Sequence, residues 1–319
     1  MKERQRTLTR HLVGLVAVVA AFAGWAVIGA SSASAAVPQT LSYYVDTEST
    51  TTLYNWGYNA PGDLSGNGAL GIILDFGRPA YRSSDGVYGT IDWNGVSGHF
   101  VPNGTILALM EAFARGWYNG HSGNIAIAQG VNNCSVDSID PGCPAHTSYD
   151  LPSHLGWITA AQKWAAFCDK FDNWLASSGY WGRVVGEAAI DAEPDYDSTY
   201  SHTANFVGEF NNDVTWAWNY DFGAPYTGTW NMQELYTIAY GVTADEPWAE
   251  VYNQSMATEW ANLSQWGANN SKNGAIYFQG VMCTTVGLDC STAYSDLVRA
   301  LSKVKYIGIN EWKTKIKFG

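Results

Sequence analysis

A single (β/α)₈ barrel is the fold this chain predicts, and three observations predict it. Apolar runs of strand length recur eight times, at residues 41–46, 69–76, 124–131, 184–191, 214–220, 235–242, 275–282 and 305–310. Helix-patterned or turn-rich stretches separate them, the clearest at 104–118, 154–177, 247–268 and 292–304. Near-continuous apolar strands suit a sheet covered on one face and filled on the other, and alternation with helices makes that sheet parallel. The third observation is the run VVGEAAIDAEPDYD at 184–197, in which a small-residue strand ends in Asp191 and Glu193, with Pro194 next. Barrel strands present functional side chains at their C-terminal ends in this way.

The chain opens with a leader. Lys2, Arg4, Arg6 and Arg10 precede an apolar stretch at 12–29, and Ala33-Ser34-Ala35 supplies a small-x-small cleavage pattern. Residues 1–35 therefore read as a secretory signal peptide, which places the mature protein outside the cell and off the membrane once cleaved; the apolar stretch is also long enough to span a bilayer, so the alternative is an uncleaved anchor. Of 319 residues, 284 remain as the single barrel domain, 36–319. That matches the ~250 residues typical of the fold. The leader removes four cationic and one acidic residue, so the formal net charge of −12 becomes −15. A surface this acidic disfavours nucleic acid and anionic membranes. No linker or internal repeat divides the domain, and it reads as a monomer.

Five cysteines sort by spacing. Cys134 and Cys143 flank one short loop, and Cys283 and Cys290 flank another, CTTVGLDC. In an exported protein both pairs predict loop-stapling disulfides. Cys168 falls in the apolar helical pattern WAAFCDKF and predicts a buried thiol.

Taken in order, the strands say which side chains enter the barrel, because successive residues face opposite sides. In the first, Asp46 and Glu48 share a face; no helix is evident between 47 and 68. In the second, Leu70, Ile72, Leu74 and Phe76 form a bulky outer face, leaving Gly71, Ile73 and Asp75 inside. The third brings Gln129 and Asn132 towards the mouth. The fourth places Glu187, Ala189, Asp191 and Glu193 inside, and short helices are expected after it and after the fifth. In the fifth, Trp216, Trp218 and Tyr220 lie opposite Thr215, Ala217, Asn219 and Asp221, and the smaller set is assigned inward. The sixth carries Tyr240, and Pro247 after Asp245-Glu246 predicts the start of the next helix. The seventh carries Gln279, followed by a helix with Ser291 as its N-cap. The eighth turns Asn310 and Trp312 inward.

One mouth then collects Asp46, Glu48, Asp75, Asp191, Glu193 and Asp221, with Asn132, Asn219, Tyr240, Gln279 and Trp312 as neighbours. The mature chain also keeps 14 of 15 tryptophans, of which Trp56, Trp93 and Trp312 are expected to line a groove. Carboxylates, amides and aromatics, with few histidines and lysines, suit glycosidic-bond cleavage. That reaction needs one acid to protonate the leaving oxygen and a second carboxylate or substrate group to stabilise an oxocarbenium-like centre.

IDAEPDYD resembles the fourth-strand Asp-x-Glu signature of chitinase-type and lysozyme-type members of the (β/α)₈ glycoside hydrolase superfamily. The resemblance spans the architecture but only about eight residues of motif. It implies Glu193 as general acid and Asp191 as its electrostatic partner or as the group that orients an N-acetyl substituent, Tyr240 as a further matching residue and Trp312 as the pocket floor. The chain departs from the chitinase type in Ala188, three before Asp191, and from retaining barrels in Gln279 where a glutamate nucleophile would stand. Asp221, Asp46 or Asp75 would then supply the second carboxylate. The expected substrate is a polysaccharide, oligosaccharide or cell-wall glycan, with no cofactor and no catalytic metal. The alternative is a degenerate barrel that binds carbohydrate or protein without cleaving it. A structural calcium at Asp195 and Asp197 is compatible with the sequence.

Other chemistries lack their residues. The mature histidines His99, His121, His146, His154 and His202 fall outside the strands, and no His-x-x-x-His pair offers a zinc site. Gly95-Val96-Ser97-Gly98 misses the Gly-x-Ser-x-Gly spacing of a serine hydrolase.

Overall fold

A computed structural model describes residues 39–60, 69–92, 99–135, 138, 143, 147–151, 153–225, 228–242, 245–284 and 288–318. The leader at 1–35 lies outside them, as does Trp93. The side chains of Asn310 and Trp312, both expected inward, likewise lie outside the described residues.

The chain folds as a closed, eight-stranded parallel barrel wrapped by helices. Its strands, in chain order, are β1 (Gln39–Tyr44), β2 (Ala69–Asp75), β6 (Asn124–Asn132), β7 (Val184–Asp191), β8 (Asn219–Asp221), β9 (Asp245–Glu250), β10 (Phe278–Cys283) and β11 (Ile309–Phe318). β11 closes the ring against β1 from Gln39↔Lys313 to Tyr44↔Phe318. Seven helices are described: α1 (Thr50–Asn59), α2 (Asn103–Gly120), α3 (His154–Ser177), α4 (Tyr200–Asp213), α5 (Met232–Tyr236), α6 (Gln254–Asn270) and α7 (Cys290–Val304).

Two apolar layers result. The larger lies between barrel and helices and includes Ile72, Leu74, Ile127, Ile190, Phe113 and Trp260. The smaller fills the barrel with Tyr44, Ile73, Ala128, Ala189, Tyr220, Trp248, Met282 and Ile316. Trp248 is its plug. A Cβ on Gly71 would lie 2.1 Å from the Trp248 ring, and Tyr220 meets that ring edge-on at 5.6 Å. The plug closes the barrel beneath the C-terminal mouth, so the residues above it form a floored basin rather than a channel.

Several expectations are corrected. Residues 235–242 are not a strand. α5 and a following π-turn, Thr237–Gly241, occupy them, so Tyr240 sits on a helix outside the barrel wall. Asn231 caps α5 by accepting from Gln233 N at 2.9 Å and Glu234 N at 3.1 Å, while Glu234 accepts from Asn231 N at 2.8 Å. This reciprocal box satisfies orphan amides and nucleates the turn. The sixth strand is β9 instead, and it contains Pro247. β9 pairs with β8 over 245–247, and β10 takes up pairing only from Trp248, so the proline's missing N–H falls at the ladder's edge. The helix expected from 247 begins at Gln254.

The segment after β1 does hold a helix. Ser49 caps α1, accepting from Thr52 N at 3.2 Å. α1 then crosses α2 at backbone contact, since a Cβ on Gly57 would lie 2.2 Å from Phe113 O and one on Gly116 2.1 Å from Tyr54 O. After β7 an α-helix of 14 residues, α4, replaces the short one expected. The N-cap of α7 is Asp289 rather than Ser291. An inserted antiparallel sheet, β3 (Arg78–Arg82), β4 (Val87–Ile91) and β5 (Phe100–Pro102), follows β2 around its own core of Ala80, Ile91 and Phe100. Both disulfides form as spaced, and Cys168 is free and buried. No helix among the described residues is long and apolar enough to cross a membrane.

Candidate active site

Asp191, Glu193 and Glu250 converge at the mouth, with one carboxylate oxygen from each lying within 4.8 Å of the others. β7 delivers the first two by its alternation, and β9 delivers the third from the neighbour-but-one strand. Asp191 is fully buried, and its Oδ2 accepts the Tyr44 hydroxyl at 3.0 Å. The same hydroxyl lies 3.5 Å from Glu250 Oε1, so Tyr44 bridges two of the acids from β1. Tyr252 supports Glu250 by a further side-chain hydrogen bond.

Glu193 is held through its backbone. Its N–H donates to Asn133 Oδ1 at 2.9 Å, and Asn133 Nδ2 donates back to its carbonyl at 3.0 Å and to Thr203 Oγ1 at 3.0 Å. Asn133 itself is fully buried, which makes this a rigid clamp. Gly223 lets the chain after β8 press on Ala192; a Cβ there would lie 2.3 Å from Ala192 O. Above the carboxylates opens a cleft of about 530 Å³, lined by Tyr44, Glu193, Tyr196, Glu250, Tyr252 and Met256 among others.

Burial and mutual repulsion set the electrostatics. Asp191 is pushed well above the ordinary carboxylate range, first by desolvation and then by Glu250, Glu193 and Asp75, against the Tyr44 hydrogen bond. Glu250 is pushed up by desolvation and then by Glu193, opposed by Tyr252 and Tyr44. Carboxylates so arranged hold their shared proton more tightly than free acids do, the condition for an acid catalyst.

The structure brings Asp75 and Asn132 to this basin. Asp75 is buried, accepts from Gly77 N at 2.8 Å and contributes to the field on Asp191. Asn132 pairs in register with Asp191 and accepts from Cys134 N at 3.0 Å; its buried Nδ2 has no partner. Others fall elsewhere. Asp221 and Asn219 point outward, because Tyr220 and Trp218 take the inner side of β8. Asp221 shares a small space with Trp230, Leu235, Ile238 and Trp260, where desolvation raises it to about 7. Asn219 donates to Asp245 Oδ1 at 2.9 Å. On β8 the bulky face turns inward, against the expectation from size, because large rings fill the barrel centre where Gly71, Ala128 and Ala189 leave room, whereas on β2 Ile72, Leu74 and Phe76 face outward as expected.

Gln279 lies near the start of β10 and donates to Glu246, below the plug rather than at the mouth. Gln129 is completely buried on the opposite parity from Ala128 and so faces α3. Asp46 is exposed beyond the end of β1, and Glu48 pairs with His99 at 3.2 Å. Trp56 stacks on Tyr43 at 4.5 Å in the layer beneath α1, so tyrosines rather than that tryptophan line the cleft. Asp197 is buried, bonds His202 Nδ1 at 2.9 Å and accepts from Thr199 N at 2.8 Å.

Sequence reasoning missed Glu250, Tyr44, Tyr252 and Asn133. Glu250 was hidden by the misplaced sixth strand; the alternation Glu246, Trp248, Glu250 was its available signal. Three carboxylates this close can act as acid and base, or share a hard divalent cation through oxygen. Compared with known protein families and with curated proteins, the chain matches none.

Proposed function

We propose that the protein is a glycoside hydrolase acting on a polysaccharide or cell-wall glycan, with Glu193 as general acid/base and Glu250 as the second carboxylate. The observation that carries this reading is the convergence of Asp191, Glu193 and Glu250 within 4.8 Å beneath an open cleft. Carboxyls about 5–5.5 Å apart serve retaining glycosidases, whereas inverting ones need roughly 6.5–9.5 Å for a water. The spacing therefore favours retention, with Glu250 attacking or stabilising the anomeric carbon. Asp191 is too enclosed to reach substrate and acts as a positioning residue, holding charge and a proton between its neighbours.

The test is reducing-end release from chitin, peptidoglycan, β-glucan, xylan and α-glucan by wild type, Glu193→Gln and Glu250→Gln. Each variant should lose about 10²-fold or more in turnover with binding kept. Product anomers followed by NMR should keep the substrate's configuration. Binding without cleavage by wild type would instead make the chain a degenerate, glycan-binding barrel.

The same triad favours one second reading, a divalent cation held by three oxygen ligands. Hydrolysis unaffected by a chelator supports the metal-free assignment. Activity abolished by chelation and restored by magnesium, calcium or manganese would replace it.

A further inference from the structure

The cleft is one-sided in its chemistry. Glu193, Glu250 and Glu259 all line it, and no lysine, arginine or histidine does among the described residues. The sequence extends this to the connections that follow β7, β8, β9 and β10. Residues 192–199, 222–231, 251–253 and 284–289 contain no lysine or arginine, yet carry Glu193, Asp195, Asp197 and Asp289. The two arginines of the inserted sheet that follows β2 are committed, Arg78 to Asp150 at 2.5 Å and Arg82 to Asp85 at 2.8 Å. The Tyr44 hydroxyl hydrogen is directed at Asp191 and Glu250, and Tyr252 is bonded to Glu250. Asp191 Oδ1, fully buried on the inner face of β7, has no hydrogen-bond partner. With three glutamates and no cationic side chain, the lining is acidic, and a complementary ligand brings positive charge.

We propose that the glycan this cleft takes is amine-bearing: a polymer or oligomer of amino sugars whose nitrogens are free and protonated, rather than acetylated, neutral or uronic-acid sugars. This rests on the hydrolase reading of the same site and names its substrate class. A protonated amine presents three donors and one positive charge. It matches a lining of Glu193, Glu250 and Glu259, and it relieves the repulsion among the buried acids. A neutral acetylated sugar would gain no ion pair from these glutamates. A uronic acid would meet like charge from the three glutamates.

Glu193→Gln, expected to bind without turnover, is titrated calorimetrically with glucosamine and galactosamine oligomers, their fully N-acetylated counterparts and a galacturonic acid oligomer. The free-amine oligomers should bind at least about tenfold tighter than the acetylated ones, in keeping with an ion pair in partly desolvated surroundings. The margin should shrink in high salt and in Glu259→Gln, because exposed charge is screened. Equal or tighter binding of acetylated or uronic oligomers overturns the proposal, as does failure of every amine-bearing oligomer to bind. Wild type assayed on the same compounds separates the two readings. Amine-bearing oligomers bound but never cut would leave the substrate class standing and remove the hydrolase. Cleavage confined to acetylated oligomers would do the reverse.

Discussion

Tyr44 shows how much one hydroxyl decides. It has a single hydrogen to offer two acids, 3.0 Å from Asp191 and 3.5 Å from Glu250. That bond opposes the desolvation and repulsion that raise both carboxylates. Tyr44→Phe should therefore drive them higher. The alkaline limb of the kcat/KM profile reports loss of the last shared proton, so it moves to higher pH in this variant. Glu250→Gln removes a like charge next to Asp191, so the residual activity of that variant should show its alkaline limb at lower pH. Coincident profiles for all three proteins would mean that the triad does not govern turnover. Half of this site was legible. Asp191 and Glu193 could be read because a period of two is strict and the motif ends a strand. Glu250 could not, since its recognition required the sixth strand to be placed correctly first.

At the level of elements, errors arose where local pattern and packing disagree. Leu235, Tyr236, Ile238 and Ala239 are buried at helical spacing, yet the run is apolar enough to pass for a strand. The decisive signal lay outside it, in Asn231 and Glu234 three residues apart. The Asp85-Gly86 turn, with Gly86 at φ 72°, similarly announced a hairpin between Arg78–Arg82 and Val87–Ile91. α1 offered less, because three threonines head it and its helix is justified by what it touches. Gly57 and Gly116 let the α1 and α2 backbones meet. Gly57→Ala should cost about 1–3 kcal/mol in urea unfolding, since the obstacle is backbone and cannot swing away. Gly104→Ala, also in α2 but with nothing within 4 Å of the added carbon, should be neutral or stabilising by up to ~1 kcal/mol. Equal effects at the two sites would show that helix propensity, not the crossing, sets the cost.

Across the whole molecule, fold class was legible because it depends on alternation repeated many times, which tolerates one misplaced strand. The acidic composition has a consequence visible only after folding: many carboxylates end up buried. Asp172, Asp221 and Glu246 are raised by desolvation to about 7, and Glu187, Asp191, Asp245 and Glu250 are pushed well above their ordinary range. Such groups keep a proton in the folded state at a pH where the unfolded chain has lost it. The unfolded state then binds fewer protons, so the slope of unfolding free energy against pH is negative over that window. Their contribution is fully present below the unfolded values near pH 4 and is lost as pH rises through 7 and beyond. Thermal unfolding should accordingly show a higher Tm near pH 5 than near pH 8, unlike proteins whose carboxylates are paired with bases. Asp172 isolates one share of this effect away from the cleft. It is buried, its Oδ1 accepts from Gly186 N at 3.1 Å, and its Oδ2 has no partner. Asp172→Asn keeps the acceptor and removes the titration, so the decline in stability between pH 5 and 8 should flatten by a measurable part while Tm at pH 8 rises. A steeper decline in this variant, or a wild type most stable in alkali, would show that the buried acids are ionised and compensated in the folded protein.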